Sequence, residues 1–235
     1  MITSLANQQI KALFKLKLKK YRDQSGLFLV FGDHLIAAAK ENNLIESIYT
    51  TNPEKEGILI DKEIMIKLKE TKTPFETVAV VRKPSIKPKS DQVLVLADVQ
   101  DPANVGALIR TAVAFNFTTI IASLKSGDFY NEKTIRASQG ALFYANLLRA
   151  DLKKELQVLK KEEYFLLAAD IDGEEFNNDA KIKAKKVLIL GNEGEGIKKE
   201  VLAMADLVVK LKINKIESLN VGHAGAILMS RLNDD

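Results

Sequence analysis

Short apolar runs alternate along the chain with stretches in which apolar residues recur every three or four positions, and this predicts strands and helices in turn. At the N-terminus Leu5, Ile10, Leu13, Phe14, Leu16 and Leu18 are interleaved with lysines. That spacing predicts one amphipathic helix over 5–18, with Lys11, Lys15 and Lys19 at i, i+4 and i+8 on its polar face. An apolar run over 27–31 follows, then a helix from His34 to about Lys40 started by the turn at Gly32 and Asp33, strands near 45–49 and 57–60, a helix over 61–70 and a strand over 77–81. Residues 82–90 carry two prolines and three lysines with little apolar content, the composition of a semi-rigid connector. Beyond it, VLVLA (93–97), TTIIA (118–122), YFLLAA (164–169), VLIL (187–190) and LVVKL (207–211) read as strands covered on both faces. Helical stretches over 105–115, 131–138, 152–161, 197–204 and 218–232 separate them. The expected fold class is α/β: a small unit over 1–82, a connector at 83–91 and a mostly parallel sheet unit over 92–235, in which ligands sit beyond the carboxyl ends of the strands.

Charge sharpens this division. Residues 1–90 hold 16 Lys+Arg against 10 Asp+Glu, a net +6, whereas 91–235 hold 19 against 21, a net −2. The first 22 residues contain Lys11, Lys15, Lys17, Lys19, Lys20 and Arg22 without one acid. Such a stripe, in which Lys11, Lys15, Lys19 and Arg22 are the candidate RNA contacts, is the footprint of a phosphate-backbone binder, and equally of a solvated helix face. With no Cys there is no thiolate metal site, and two His without H-x-x-x-H spacing offer little to zinc, so no metal is expected. No run of 18 uncharged apolar residues occurs and the N-terminus lacks signal-peptide features, so the expected location is cytoplasmic, with no membrane partner.

Three segments behind strands stand out. The first is Asp98-Val-Gln-Asp-Pro-Ala-Asn104-Val-Gly-Ala-Leu-Ile-Arg110-Thr, the second Gly191-Asn192-Glu193-Gly194-Glu195-Gly196, and the third Glu217-Ser218-Leu219-Asn220-Val-Gly-His-Ala-Gly225. The second is rich in glycine but lacks both the G-K-[ST] ending of a phosphate loop and the G-x-G-x-x-G order of a dinucleotide site, which disfavours an oxidoreductase. Its acids, Glu193 and Glu195, would repel a pyrophosphate, whereas a ribose diol, an adenine edge and a sulfonium, the groups of S-adenosylmethionine, suit it. A plain strand-to-helix turn using glycine for positive φ explains the same loop.

Taken together and in order, N-x-G-x-x-x-R-T, G-N-E-G-x-G and S-L-N-V resemble the SpoU (TrmH-like) family of S-adenosylmethionine-dependent RNA ribose 2′-O-methyltransferases. The likeness extends to the N-terminal stretch, which is similar to the family's L30e-like α/β/α substrate-binding domain, and to Arg136-Ala-Ser-Gln-Gly-Ala-Leu-Phe143. It implies a SPOUT-type C-terminal domain threaded into a trefoil knot, an exception to the rule that chains do not knot. It further implies S-adenosylmethionine held against Gly191, Asn192, Gly194, Leu211, Ile213 and Leu219, and a catalytic set of Asn104, Arg110, Glu193, Ser218 and Asn220. The substrate implied is RNA, 23S ribosomal RNA before transfer RNA. Non-catalytic RNA binding, or methylation of a protein or small molecule, are the other classes; intact motifs disfavour the first and the basic N-terminus the second. A guanidinium keeps its proton, which suits Arg110 to steadying a 2′-oxyanion or a phosphate better than to acting as a base. His223, in the third motif, reads as a structural histidine. The resemblance also implies a homodimer through the C-terminal domain, for which Val105, Leu108, Ile109, Val113, Ile227, Leu228 and Met229 are the expected apolar surface.

Overall fold

The computed structural model of the chain describes residues 1–235 apart from 71, 178–181, 217 and 234–235, so Glu217 at the head of the third motif lies outside the described residues. The N-terminal part runs α1 (Gln8–Lys15), α2 (Lys19–Ser25), β1 (Leu27–Phe31), α3 (Asp33–Glu41), β2 (Ile45–Thr50), β3 (Ile58–Leu59), α4 (Lys62–Leu68) and β4 (Thr77–Arg82). Its four strands are ordered β1-β4-β2-β3, antiparallel except for the short β2–β3 pair. Side chains alternate across this sheet. Leu29, Phe31, Val78 and Val80 meet α1 and α4 on one face, while Phe28, Val30, Ala79 and Val81 meet α3 on the other.

The single helix expected over 5–18 is two. Asn7 caps α1 by accepting the backbone N–H of Gln9 and Ile10, and Ile10 and Leu13 enter the core. At the far end the guanidinium of Arg22 donates to the carbonyls of Leu16 (2.8 Å) and Lys17 (2.6 Å), which satisfies the end of the helix without continuing it. Lys19 therefore starts α2, where it pairs with Asp23, and does not extend a face begun by Lys11 and Lys15. The Asp23 carboxyl is held at about 2: burial raises it, but hydrogen bonds from Lys19 and Lys83 outweigh that and lower it.

The C-terminal part runs β5 (Gln92–Ala97), α5 (Pro102–Ala114), β6 (Thr119–Ser123), α6 (Glu132–Ser138), a 3₁₀ turn (Ala141–Phe143), β7 (Asn146–Ala150), α7 (Leu152–Lys161), β8 (Phe165–Glu175), β9 (Lys186–Gly191), α8 (Lys199–Leu202), β10 (Leu207–Lys210) and α9 (Val221–Leu232). Six strands pair in the order β10-β8-β9-β5-β6-β7, all parallel. The sheet is covered on both faces, as its apolar runs require. Leu108, Ile109, Leu228 and Met229 of α5 and α9 pack on Leu94, Leu96, Leu188 and Leu190; Leu152, Leu156, Leu159 and Val201 of α7 and α8 pack on Val93, Val95, Val187 and Ile189. The pattern missed β7, an edge strand whose residues 147–150 are only half-buried. The helix expected from 105 begins earlier, at Pro102 behind the N-cap Asp101, and that expected from 218 begins at Val221 behind Asn220. Buried Lys186 closes the other end of α9 by donating to the Leu232 carbonyl (2.5 Å).

Two expectations about surfaces are corrected here. Val105, Leu108, Ile109, Leu228 and Met229, expected at a dimer interface, are filled into the chain's own core; of that set only Ile227 is exposed, with Val113 partly so. Arg22, expected on RNA, is 6% exposed and donates to Asp128 (2.6 Å), so it ties α2 to the loop after β6. The same seam is packed by Phe28 against Tyr130 and Phe143, ring centroids 4.7 and 6.4 Å apart. Burial raises the Tyr130 hydroxyl pKa, and Asp128 and Asp23 add to it.

Candidate active site

The carboxyl ends of β5, β9 and β10 lead into the three motif segments. At the end of β5 the chain turns through Asp98, which has φ 62°, a left-handed conformation that Asp tolerates better than most residues. Its N–H donates to Ser123 Oγ (3.1 Å), Ser123 Oγ donates back to the carboxylate (2.7 Å), and Lys198 Nζ sits 2.7 Å from the other oxygen. Burial raises the Asp98 carboxyl, but the hydrogen bonds from Lys198 and Ser123 prevail and hold it below the ordinary value. Lys198, hydrogen-bonded to Asp98, is shifted up.

Behind β9, residues 192–196 form a closed turn. Asn192 and Gly196 exchange backbone hydrogen bonds (3.0 and 3.1 Å), and Asn192 Oδ1 accepts the N–H of Gly194 (2.9 Å) and of Glu195 (3.0 Å). Asn192 Nδ2 donates to the Asp98 carbonyl (2.8 Å), so the first motif holds the second in place. Gly191 cannot carry a side chain, because a Cβ there would lie 2.5 Å from the Gly196 carbonyl carbon.

Asn104 is the junction of all three motifs. Its Nδ2 donates to Glu193 (2.9 Å) and its Oδ1 accepts from Asn220 Nδ2 (3.1 Å), while Asn220 Oδ1 caps α9 through Gly222 N–H (2.9 Å). The structure thus brings Asn104, Glu193 and Asn220 together. It does not bring Arg110 to them: six residues on, about 9 Å along the helix axis, Arg110 leaves α5 on a different face. There it is exposed, without an ion pair or side-chain hydrogen bond among the described residues, on a stripe with Ala103, Ala107, Thr111 and Ala114. Ser218 is likewise exposed, two positions before Asn220. Asp98, Ser123 and Lys198 were not among the expected site residues; the signal available was Asp98 itself, standing at the head of the first motif.

Leu211, Ile213 and Leu219 are half-buried along the segment after β10, and residues 211–219 make no backbone–backbone hydrogen bond among those described. Apolar edges beside unspent amides and carbonyls suit a flat heterocycle with a polar rim, such as adenine, and at Gly194 an added Cβ would meet nothing closer than Asn192 Oδ1 at 3.6 Å, which leaves the turn approachable. The residues present therefore fit S-adenosylmethionine.

Residues 91–230 match the SpoU rRNA Methylase family and residues 7–79 the MRM3-like substrate binding domain. The chain belongs to the SpoU rRNA methylase family. It is 30% identical to the 23S rRNA (guanosine(2553)-2′-O)-methyltransferase RlmP of Bacillus subtilis, with 98% of each chain covered. Among solved structures it resembles an RNA 2′-O ribose methyltransferase (TM-score 0.81, 26% identity, 98% of this chain and 96% of that one). An AdoMet-bound rRNA methyltransferase from Sinorhizobium meliloti shares the fold (TM-score 0.86, 22% identity, 98% and 95% covered). Family membership makes the chain an RNA methyltransferase.

Proposed function

We propose that the protein methylates a ribose 2′-hydroxyl of 23S ribosomal RNA. S-adenosylmethionine is the methyl donor, and supplies an electrophilic methyl on a sulfonium. The reaction breaks that sulfur–methyl bond, forms an oxygen–methyl bond and releases the hydroxyl proton, so the protein must align the acceptor and steady the developing oxyanion. The observation that carries this reading is the meeting of the three motif segments at Asn104, at the head of the helix whose next turns expose Arg110 with no ion pair or side-chain hydrogen bond among the described residues. Asn104 locks Glu193 to Asn220, and Arg110 keeps its donors for the ribose oxygen or an adjacent phosphate. Gly191, Asn192 and Gly194 shape the donor's turn; Leu211, Ile213 and Leu219 line its apolar edge, and Ser218 faces the acceptor.

Residues 1–82 form an L30e-like RNA-binding unit joined by 83–91 to the methyltransferase unit of 92–235, and Lys11 and Lys15 remain exposed for phosphate contact. The trefoil knot belongs to the C-terminal end: after the edge strand β10 the chain returns to the centre of the sheet, and α9 packs on α5 and β9. The working form is a cytoplasmic homodimer joined through the exposed sides of α5 and α9. No helix among the described residues is long and apolar enough to cross a membrane.

The test is incubation of 23S ribosomal RNA with labelled cofactor, followed by alkali. A 2′-O-methyl group protects its linkage, so label must appear in alkali-resistant dinucleotides. Arg110→Ala should lose a factor of about 10² to 10³ in turnover while cofactor affinity survives. Label in a base, or full activity in Arg110→Ala, overturns the assignment.

A further inference from the structure

A cavity of about 640 Å³ lies between the two units, on the opposite side of α6 from α5; no residue of the three motifs that meet at Asn104 lines it, whereas Arg136 and Gln139 of the 136–143 segment do. Its volume is in the range of ligand sites. Phe31 of β1, Phe75 of the loop before β4 and Ile135 of α6 make its walls. The Phe75 ring is braced on one side by Phe31 (centroids 5.9 Å apart, tilted) and by the turn at Gly32, where an added Cβ would come within 3.0 Å of it. Gly32 has φ 90°, so the bare turn serves both the backbone and the ring. The charged groups lining the cavity are three carboxylates, Asp33, Glu76 and Glu132, against two cations, Lys55 and Arg136. Lys55 is committed to Asp33 (2.6 Å) and Glu76 (3.1 Å), whereas the Arg136 side chain makes no ion pair or hydrogen bond among the described residues.

We propose that this cavity receives an unstacked nucleobase of the RNA substrate, a few nucleotides from the methylated ribose. The inference rests on the reading of the protein as an RNA methyltransferase and adds a second contact to it. Three features select a base over other parts of RNA. The lining carboxylates are already engaged, Asp33 and Glu76 by Lys55 and Glu132 by the Glu70 N–H (2.7 Å), so the lining offers no surplus of positive charge to a phosphate. Carboxylate oxygens have further lone pairs for the amino and imino groups of a base edge. Phe75 presents an aromatic ring, on which any base can stack. Arg136 stands free to stack on that base or to hold the phosphate outside. The cavity touches both units at once, so a base lodged there orients the RNA relative to α5, one helix width (about 8–10 Å) away across α6.

The chain contains no Trp, so Phe75→Trp places a single indole in the cavity. Transcribed 23S ribosomal RNA should quench its fluorescence, whereas S-adenosylmethionine alone and a fully double-stranded RNA should not. Phe75→Ala should raise KM for the RNA about tenfold, with kcat at saturating RNA and cofactor affinity unchanged, and Phe75→Trp should restore KM. Arg136→Ala should raise KM alone as well. RNA binding is followed in the same samples by anisotropy. If RNA binds normally but the indole is silent and Phe75→Ala keeps its KM, the cavity proposal falls and the methyltransferase reading stands. If no RNA binds at all, the reading beneath it falls first.

Discussion

The two loops that flank the candidate site are built in opposite ways. Residues 191–196 are closed on themselves by two backbone hydrogen bonds and by an asparagine side chain that serves two amides, and they are tied to Asp98 from outside. Residues 211–219 make no backbone–backbone hydrogen bond among those described; Lys212 reaches out to Glu175 (3.3 Å), which leaves the backbone unspent, and side-chain ties to the other motifs begin at Asn220. A loop whose polar groups are satisfied internally has its shape before a ligand arrives, whereas one whose amides and carbonyls are unspent has bonds left to offer a ligand. Three glycines and the single Asn192 shape the first for that reason, and Leu211, Ile213 and Leu219 mark the second as a surface to be covered.

The contrast can be broken most severely at Gly191. Gly191→Val drives a side chain into the Gly196 and Ile197 backbone, and calorimetry should find cofactor affinity reduced at least a hundredfold. Asn192→Ala removes the acceptor of two amides and the donor to Asp98, and about tenfold in cofactor affinity should go with it; Asn192→Asp keeps the acceptor and should lose less. The comparison is sharpened by hydrogen exchange: saturating cofactor should slow exchange several-fold over 211–219 and change 192–196 little. Ile216→Ser, on an exposed part of the second loop, should leave cofactor affinity within twofold.

A pH series probes the tie between the loops and β5. Asp98 has its carboxyl held below the unfolded value of about 3.9, so its contribution is complete above that value and is lost as the pH falls through the lowered one. Cofactor affinity should therefore be level from about pH 8 to pH 5 and fall only below about pH 4. Asp98→Asn should weaken binding at neutral pH and flatten that acid limb.

Elements whose role is burial were legible from the pattern: β5, β6 and β9 lie within one or two residues of where the apolar runs put them. The motifs gave Asn104, Glu193 and Asn220, which do converge. What the pattern could not supply was which charged side chains turn inward. Arg22 belongs by composition to a basic stripe, yet two carbonyls and Asp128 compensate its burial, and no spacing rule reports partners 106 residues apart. Lys198 looks like any other surface lysine until Asp98 is seen beside it. The apolar faces of α5 and α9 suggested a surplus for a partner because Gly106 and Gly225 hide how closely helices pack here; a Cβ at either would meet a neighbour at 2.5 Å.

The buried Arg22–Asp128 pair and the aromatic contact of Phe28 with Tyr130 and Phe143 bear on how such a chain can be recombined. The proline-bearing connector looks like a natural cut, but the halves fit as a matched lock whose tumblers are on both sides of it. A chimera that exchanges residues 1–82 for those of another family member carries a foreign half of that seam, and leaves half-buried Asp128 opposite a stranger. Retargeting this scaffold to a new RNA therefore means transplanting 128–130 and 143 along with the N-terminal unit, so the heritable module is larger than the domain.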